Sequence, residues 1–75
     1  MKELLEFIAK SLVDYPDDVR VEQKGTDSSM VLELHVREED MGKVIGKQGR
    51  IAKSIRSVMK AAASKNNVKV SVDIV

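Results

Sequence analysis

The chain has 75 residues, of which 43% are hydrophobic and 33% charged, and it contains no cysteine. This size predicts one small domain, the composition is too apolar for a disordered chain, and disulfides and thiolate metal sites are excluded. No apolar run approaches the roughly 20 residues that cross a bilayer, and acids interrupt the first residues, where a signal peptide is continuously apolar. We therefore expect a cytoplasmic protein with no membrane partner.

The net charge of +1 conceals an uneven distribution along the chain. Residues 41–65, which we call the basic segment, hold seven basic residues and no acid, whereas the other six basic residues share the remaining chain with all twelve acids. The seven are Lys43, Lys47, Arg50, Lys53, Arg56, Lys60 and Lys65. This asymmetry favours an anionic partner over the alternative of a solvated helix face, where lysines are normally interspersed with glutamates.

The first half of the chain predicts a helix followed by a hairpin. Apolar residues recur at helical spacing over residues 2–14, and Pro16 prevents the helix from continuing. Residues 19–23 and 30–36 alternate apolar and polar side chains, as strands with one buried face do, and the turn-forming residues between them predict an antiparallel connection. We expect His35 on the second strand to face solvent rather than to serve in catalysis.

The second half predicts two helices and a strand. Residues 38–40 are three acids that open a short helix, where they suit the positive end of the helix dipole and need no metal to explain them. A longer helix begins near Arg50 and ends at the asparagines 66–67, and residues 68–74 alternate as a third strand. The apolar stripe of the longer helix comprises Ile51, Ile55, Val58, Met59 and Ala62. The predicted order is α-β-β-α-α-β.

The two predicted helices are separated by a loop with glycines three residues apart, Gly46 and Gly49. Glycine permits backbone conformations closed to other residues and lets a ligand approach the chain closely. The longer helix begins directly after the loop, so its free amides and positive dipole end face the same point as Lys47 and Arg50. The arrangement favours phosphate.

A nucleotide-binding P-loop is nevertheless excluded. Only three residues separate Gly42 from Gly46, Gln48 stands where a serine or threonine would hold magnesium, and no strand leads into the loop.

The stretch from Val44 to Ile51, V-I-G-K-Q-G-R-I, resembles the signature of KH domains, which clamp about four nucleotides of a single strand with such a loop. The order of elements is similar to the type II KH arrangement over essentially the whole chain, and the chain resembles the small stand-alone bacterial KH proteins of the KhpA family. The resemblance implies a single KH domain over residues 1–75. Its fold would be α+β, with three helices covering one face of a three-stranded mixed sheet.

The resemblance also implies which residues bind RNA. They are Lys43, Val44, Ile45, Gly46, Lys47, Gln48, Gly49, Arg50 and Lys53. The four loop residues would hold the backbone, and the basic residues would line one side of a groove whose opposite wall is the last strand. Ile45 is expected to pack the short helix onto the core and Val44 to lie nearer the groove, although the sequence does not decide which of the two faces the bases.

By the same resemblance, the protein would bind single-stranded RNA in RNA-based or post-transcriptional regulation. It would act as an RNA chaperone or regulator, as a homodimer or together with a larger KH-containing protein. The alternative is an assembly module of KH fold with weak or general nucleic-acid binding, including single-stranded DNA. We expect neither enzymatic activity nor a cofactor or metal. The only aromatic residues, Phe7 and Tyr15, lie far from the loop in sequence, so base stacking on them is not expected and binding should be modest and salt-dependent.

Overall fold

The computed structural model describes all 75 residues and shows six main elements in the predicted order. The helices and strands are α1 (Lys2–Leu12), β1 (Arg20–Gly25), β2 (Ser29–His35), α2 (Met41–Ile45), α3 (Arg50–Lys65) and β3 (Lys69–Ile74). Single 3-10 turns occur at Pro16–Asp18, Glu38–Asp40 and Lys47–Gly49. No helix combines the length and the apolar character that crossing a bilayer requires.

The three strands form one mixed sheet with β2 in the centre. The predicted hairpin is confirmed, because β1 pairs antiparallel with β2 and Val21 lies opposite Leu34. β3 pairs parallel with β2, with Leu32 beside Val72. A parallel pair needs a crossover connection, which α2 and α3 supply. The two helices therefore cover the same face of the sheet as α1, in agreement with the predicted type II KH arrangement.

The core lies between this face of the sheet and the three helices. The alternation of β2 places Leu32 and Leu34 in full burial, while Val31 and Glu33 turn to the open face. The buried apolar cluster consists of Leu5, Ala9, Val19, Val21, Met30, Leu32, Leu34, Val44, Ile55, Met59 and Val72. Every main element contributes to it, and the short helix α2 does so through Val44.

The buried face of α3 differs from the predicted stripe by part of a turn. Ile55 and Met59 are buried as predicted, but Val58 is 48% exposed, and Ala52 and Ala63 are buried instead. The buried residues recur at spacings of three and four along one helix face, and the small alanines let the helix approach the sheet closely. Val58 points toward α1 rather than toward the sheet, in a cleft that α1 and α3 share.

Asp40 is the one buried charged residue, with no exposed surface. Its side chain makes no capping hydrogen bond to α2. Instead, its carboxylate accepts hydrogen bonds from the backbone N–H groups of Asp14 at 3.2 Å and Tyr15 at 3.0 Å. Both amides follow the end of α1, where no helical carbonyl can serve them. Asp40 thus ties the start of α2, and with it the glycine loop, to the end of α1.

Candidate nucleic-acid interface

Two glycines give the loop between α2 and α3 its shape. Gly46 has φ 76° and ψ 175°, a region that only glycine adopts at low cost, and a Cβ at this position would lie 2.5 Å from Cγ1 of Ile51. Gly49 has φ 73°, and no atom lies within 4 Å of the place that its Cβ would occupy. Gly46 is therefore required by the fold, whereas the space in front of Gly49 is open to a ligand's approach.

The turn Lys47–Gly49 leads directly into α3, and its Lys47 and Gln48 side chains are exposed. The amide of Gly49 donates to the carbonyl of Gly46 at 3.1 Å, and Gln48 takes the left-handed conformation with φ 58°. Arg50 donates through Nη2 to Oε1 of Gln48 at 3.3 Å. No side chain caps the first turn of α3, so the positive end of a 16-residue helix is left to face the loop. These features together suit an anionic group such as a phosphate.

Val44 and Ile45 exchange the positions that we expected for them. Val44 is fully buried in the core, and Ile45 is 36% exposed beside the loop. The expectation that Ile45 packs α2 onto the core was therefore wrong. A helix of five residues is too short for its sequence to reveal which side faces inward.

Lys43 lies on the other side of α2, away from the loop. Its ammonium group is 2.9 Å from Oδ2 of Asp14 and 3.6 Å from Oδ1 of the buried Asp40. The hydrogen bond to Asp14, supported by the negative charges of both carboxylates, raises the pKa of Lys43 above its ordinary value. Of the predicted basic site residues, Lys43 is thus the one whose charge is already compensated.

The predicted site residue Lys53 lies on the same helix face as Arg56 and Lys60, two basic residues that we did not predict as site residues. Lys53, Arg56 and Lys60 are spaced three and four residues apart and lie on one exposed face of α3, which we call the basic face. Arg56 donates through Nε to the backbone carbonyl of Val72 at 3.1 Å, which shows that this face borders β3. Toward the C-terminal end of α3, Lys60 and Ser64 line a cleft together with the start of β3. The spacing alone could have revealed the face, whereas its contact with β3 could not have been foreseen.

The cations of the basic segment differ from those elsewhere in how they are paired. No carboxylate lies within 4 Å of six of its seven basic side chains, Lys43 being the exception. Outside the segment, three of the six basic side chains, Arg20, Lys24 and Arg37, form an ion pair. The segment therefore presents uncompensated positive charge around the loop and along the basic face.

The open face of the sheet holds the only group of side chains with metal-binding potential. Ligand atoms of Glu22, Glu33 and His35 lie within 4.8 Å of one another. However, Lys24 contacts Glu33 at 3.2 Å and Arg20 contacts Glu22 at 3.4 Å, so cations of the protein already serve both carboxylates. His35 lies on the open face as expected, although its ring is only 28% exposed, and its Nε2 has no hydrogen-bond partner.

The two aromatic side chains lie on α1 and on the turn that follows it, and they do not line the groove. Phe7 is 71% exposed on α1, and the guanidinium of Arg37 covers the ring of Tyr15 at 4.1 Å from its centroid. The groove between α3 and β3 thus holds no aromatic surface on which a base could stack.

The family model for the KhpA/KhpB KH domain matches residues 2–74, nearly the full chain. The chain belongs to this family. Two bacterial relatives, each named RNA-binding protein KhpA, align over all 75 residues of this chain. The one from Clostridium perfringens is 65% identical and is covered completely, and the one from Halalkalibacterium halodurans is 56% identical and is covered to 99%.

Solved structures of Era share the fold with this KhpA/KhpB family member. A variant of Era from Aquifex aeolicus bound to GDP and aluminium fluoride gives a TM-score of 0.63 at 23% identity. Era in complex with a nucleotide and a segment of 16S ribosomal RNA gives 0.55 at 24% identity. Each match covers 99% of this chain but only 30% of the Era chain. The type II KH fold here thus corresponds to one part of a larger protein there.

Proposed function

We propose that this chain is a single KH domain over residues 1–75 that binds single-stranded RNA. The observation that carries the proposal is the uncompensated charge of the basic segment around an open glycine loop. Six cations without carboxylate partners lie within residues 41–65, and a polyanion would neutralise their mutual repulsion. The relatives' shared name, RNA-binding protein KhpA, supports RNA as that polyanion.

In this proposal the loop grips the backbone of the RNA strand. Gly49 lets a phosphate approach the chain, Lys47 and Gln48 contact it from the exposed turn, and the uncapped start of α3 faces it. Arg50, beside Gln48, adds a second charge. The RNA strand then continues along the basic face, beginning at Lys53.

The remaining predicted site residues have lesser or indirect roles. Ile45 offers an apolar contact to a base beside the loop, since it is partly exposed there. Gly46 shapes the loop, Val44 holds α2 on the core, and Lys43 attaches α2 to Asp14. We therefore assign direct RNA contacts to the loop and the basic face, and supporting roles to these last three.

In this proposal the protein binds RNA and does not catalyse a reaction. It meets cellular RNA in the cytoplasm. Post-transcriptional regulation or RNA chaperoning is the function that a small domain with modest, salt-dependent affinity would serve. The absence of aromatic surface in the groove supports that affinity range, because stacking adds ~1–3 kcal/mol per base where it occurs.

The double variant Lys47→Asp/Gln48→Asp tests the proposal. Both side chains are exposed, so the thermal midpoint should stay near that of the wild type. Loss of two polar contacts to phosphate and the introduced repulsion should weaken binding of a short single-stranded RNA by at least about 100-fold in fluorescence anisotropy. Unchanged RNA affinity in this variant would contradict the proposal.

The matched control is Lys2→Asp/Gln23→Asp, which makes the same two kinds of substitution at exposed positions away from the loop. It changes the net charge by the same amount and should retain most of the binding. Parallel titrations with DNA of the same sequence distinguish RNA binding from general single-strand binding, because only a 2′-hydroxyl contact separates the two.

A second candidate function is assembly through an apolar cleft between α1 and α3. Ile8 and Leu12 of α1 and Ile51, Ile55 and Val58 of α3 line this cleft. Leu12 and Val58 are 38% and 48% exposed, which leaves apolar surface for a partner helix. We propose a second copy of the chain as the occupant. Pairing would bring two loops to one RNA and raise avidity, since each domain holds few nucleotides.

Sedimentation velocity tests this assembly. The wild-type chain should form a dimer at micromolar concentration, and Val58→Glu should dissociate it without unfolding. A wild-type monomer at that concentration would leave a larger KH-containing protein as the candidate partner. The naming of the family for two proteins, KhpA and KhpB, is consistent with that arrangement.

A further inference from the structure

Arg56 is anchored to the sheet through one of its N–H groups, and the others have no partner. Its Nε donates to the backbone carbonyl of Val72 at 3.1 Å, across 16 residues of chain. Neither Nη atom forms a hydrogen bond or an ion pair with any protein atom. An arginine has five N–H donors in a rigid planar fork, so four of them remain available.

The carbonyl of Val72 lies on the free edge of the sheet. Residues 69 and 75 donate their backbone N–H groups to β2, at 2.9 Å to Ser28 and 3.0 Å to Leu34. Backbone groups alternate direction along a strand, so those of Val70, Val72 and Ile74 point away from β2. Arg56 therefore stands at the mouth of the groove between α3 and β3, between Lys53 and Lys60 on the basic face.

We propose that Arg56 reads a nucleobase in this groove, an inference that rests on the proposed RNA binding. The hydrogen bond to Val72 fixes the plane of the guanidinium, and the two Nη groups then present a pair of parallel donors. A base edge with two adjacent acceptors matches this pair. Guanine offers O6 and N7, and cytosine offers O2 and N3, whereas adenine and uracil have no parallel pair of acceptors on one edge. The chain should thus prefer RNA containing guanine or cytosine.

The position of Arg56 favours a base over a phosphate as its ligand. The glycine loop, the start of α3 and Lys47 already serve the phosphates at the top of the groove. Lys53 and Lys60 supply point charges for phosphates along the helix, whereas the fork of Arg56 is held on the free edge of the strand. Because the fork is fixed before RNA arrives, little side-chain freedom is lost on binding.

The test compares eight-nucleotide RNAs of cytosine, of uracil, of adenine, and of alternating guanine and uracil. Wild-type protein should bind the cytosine and guanine-containing RNAs about tenfold more tightly than the other two. Arg56→Lys keeps the charge without the fork and should abolish this preference. The control Lys60→Gln should weaken all four RNAs by the same factor, as loss of a phosphate contact does.

A measurement on the wild-type protein avoids any effect of the substitution on folding. Replacing guanine by 7-deazaguanine removes the N7 acceptor and should lower affinity about tenfold. Equal affinity for the two guanine RNAs, equal affinity for all four sequences, or an equal loss for all four in Arg56→Lys would each overturn the inference. Failure of the wild type to bind any RNA would overturn the proposed function as well, so the two failures are distinguishable.

Discussion

The basic segment and the open face of the sheet both carry many charges, but they compensate them differently. On the open face, Glu22 and Glu33 lie directly opposite each other on neighbouring strands, and Arg20 and Lys24 neutralise them within the protein. On the basic segment, cations surround a loop held in place by backbone geometry, and Lys43 is the only one of them with a carboxylate within 4 Å. A surface whose charges are paired within the protein needs no ligand to neutralise them. A surface whose cations lack carboxylate partners is the better candidate for binding an anion.

The largest expected effect concerns the positioning of the basic segment. Asp40→Ala leaves the backbone amides of Asp14 and Tyr15 without this acceptor and opens a cavity where a fully buried side chain stood, so it should lower the free energy of unfolding by ~2–4 kcal/mol. Urea denaturation measures this loss. Asp17→Ala, an exposed acid in the adjacent turn, is the control and should change stability by less than ~0.5 kcal/mol. Similar values for the two variants would show that Asp40 does not hold α2 in place.

The next effect separates the two loop glycines. Gly46→Ala puts a Cβ against Ile51 and forces an unfavourable backbone conformation, so it should destabilise the fold by ~2–3 kcal/mol. Gly49→Ala meets no neighbouring atom and should cost only ~1–2 kcal/mol, the ordinary penalty of the left-handed region. If both variants remain folded, Gly49→Ala should weaken RNA binding, because its methyl group occupies the space left for the backbone. Equal stabilities in chemical denaturation would contradict the different roles assigned to them.

A smaller effect compares one cation from each region. Lys47→Gln should reduce the slope of log affinity against log salt by about 0.7, the value for one phosphate contact to a single strand. Lys24→Gln removes the same charge from the open face, and its salt slope should equal that of the wild type. Its stability should fall by no more than ~1 kcal/mol, as for other exposed ion pairs. The comparison fails if Lys24→Gln alters the slope as much as Lys47→Gln does.

The smallest effect lies within the basic segment. Lys43→Gln should change RNA affinity less than about twofold, since Asp14 and Asp40 already compensate this ammonium, whereas Lys53→Gln should weaken it about fivefold. The hydrogen bond to Asp14 raises the pKa of Lys43, so the stabilising ion pair is complete at pH values below the ordinary pKa of 10.5 and is lost only as the pH rises through the folded value. Anisotropy at neutral pH therefore examines Lys43 with its ion pair intact. A larger loss for Lys43→Gln would show that its charge is available to RNA.

The sequence predicted the order of elements, the hairpin and the glycine loop because each depends on local signals. Alternation defined the strands, and Asn67 closes α3 in the left-handed conformation expected there. Pro16 limited the first helix, but α1 already ends at Leu12, two residues before the predicted bound, with Val13 extended. The orientation of Val44 and Ile45 was not predictable, because five helical residues do not establish a period. The hydrogen bond from Arg56 to Val72 was equally beyond the sequence, since it depends on how α3 crosses β3.

The burial of Asp40 could not be predicted from the sequence, for a different reason. Acids at the start of a helix have a sufficient local explanation in the helix dipole, and the sequence offers no sign that one of three consecutive acids is buried. Its partners are backbone amides 25 and 26 residues away, which only the packing of α1 against α2 brings within reach. Long-range polar contacts to the backbone therefore remained outside what residue patterns could reveal.

The most direct test of RNA binding by the basic segment is an NMR titration of the labelled protein with a short single-stranded RNA. If the basic segment binds RNA, amide chemical shifts should change at Gly46–Lys53, along the basic face of α3 and at the free edge of β3. Those of Glu22, Lys24 and Glu33 should change little. Shifts centred on the open face of the sheet, or none at RNA concentrations well above those of the protein, would contradict it.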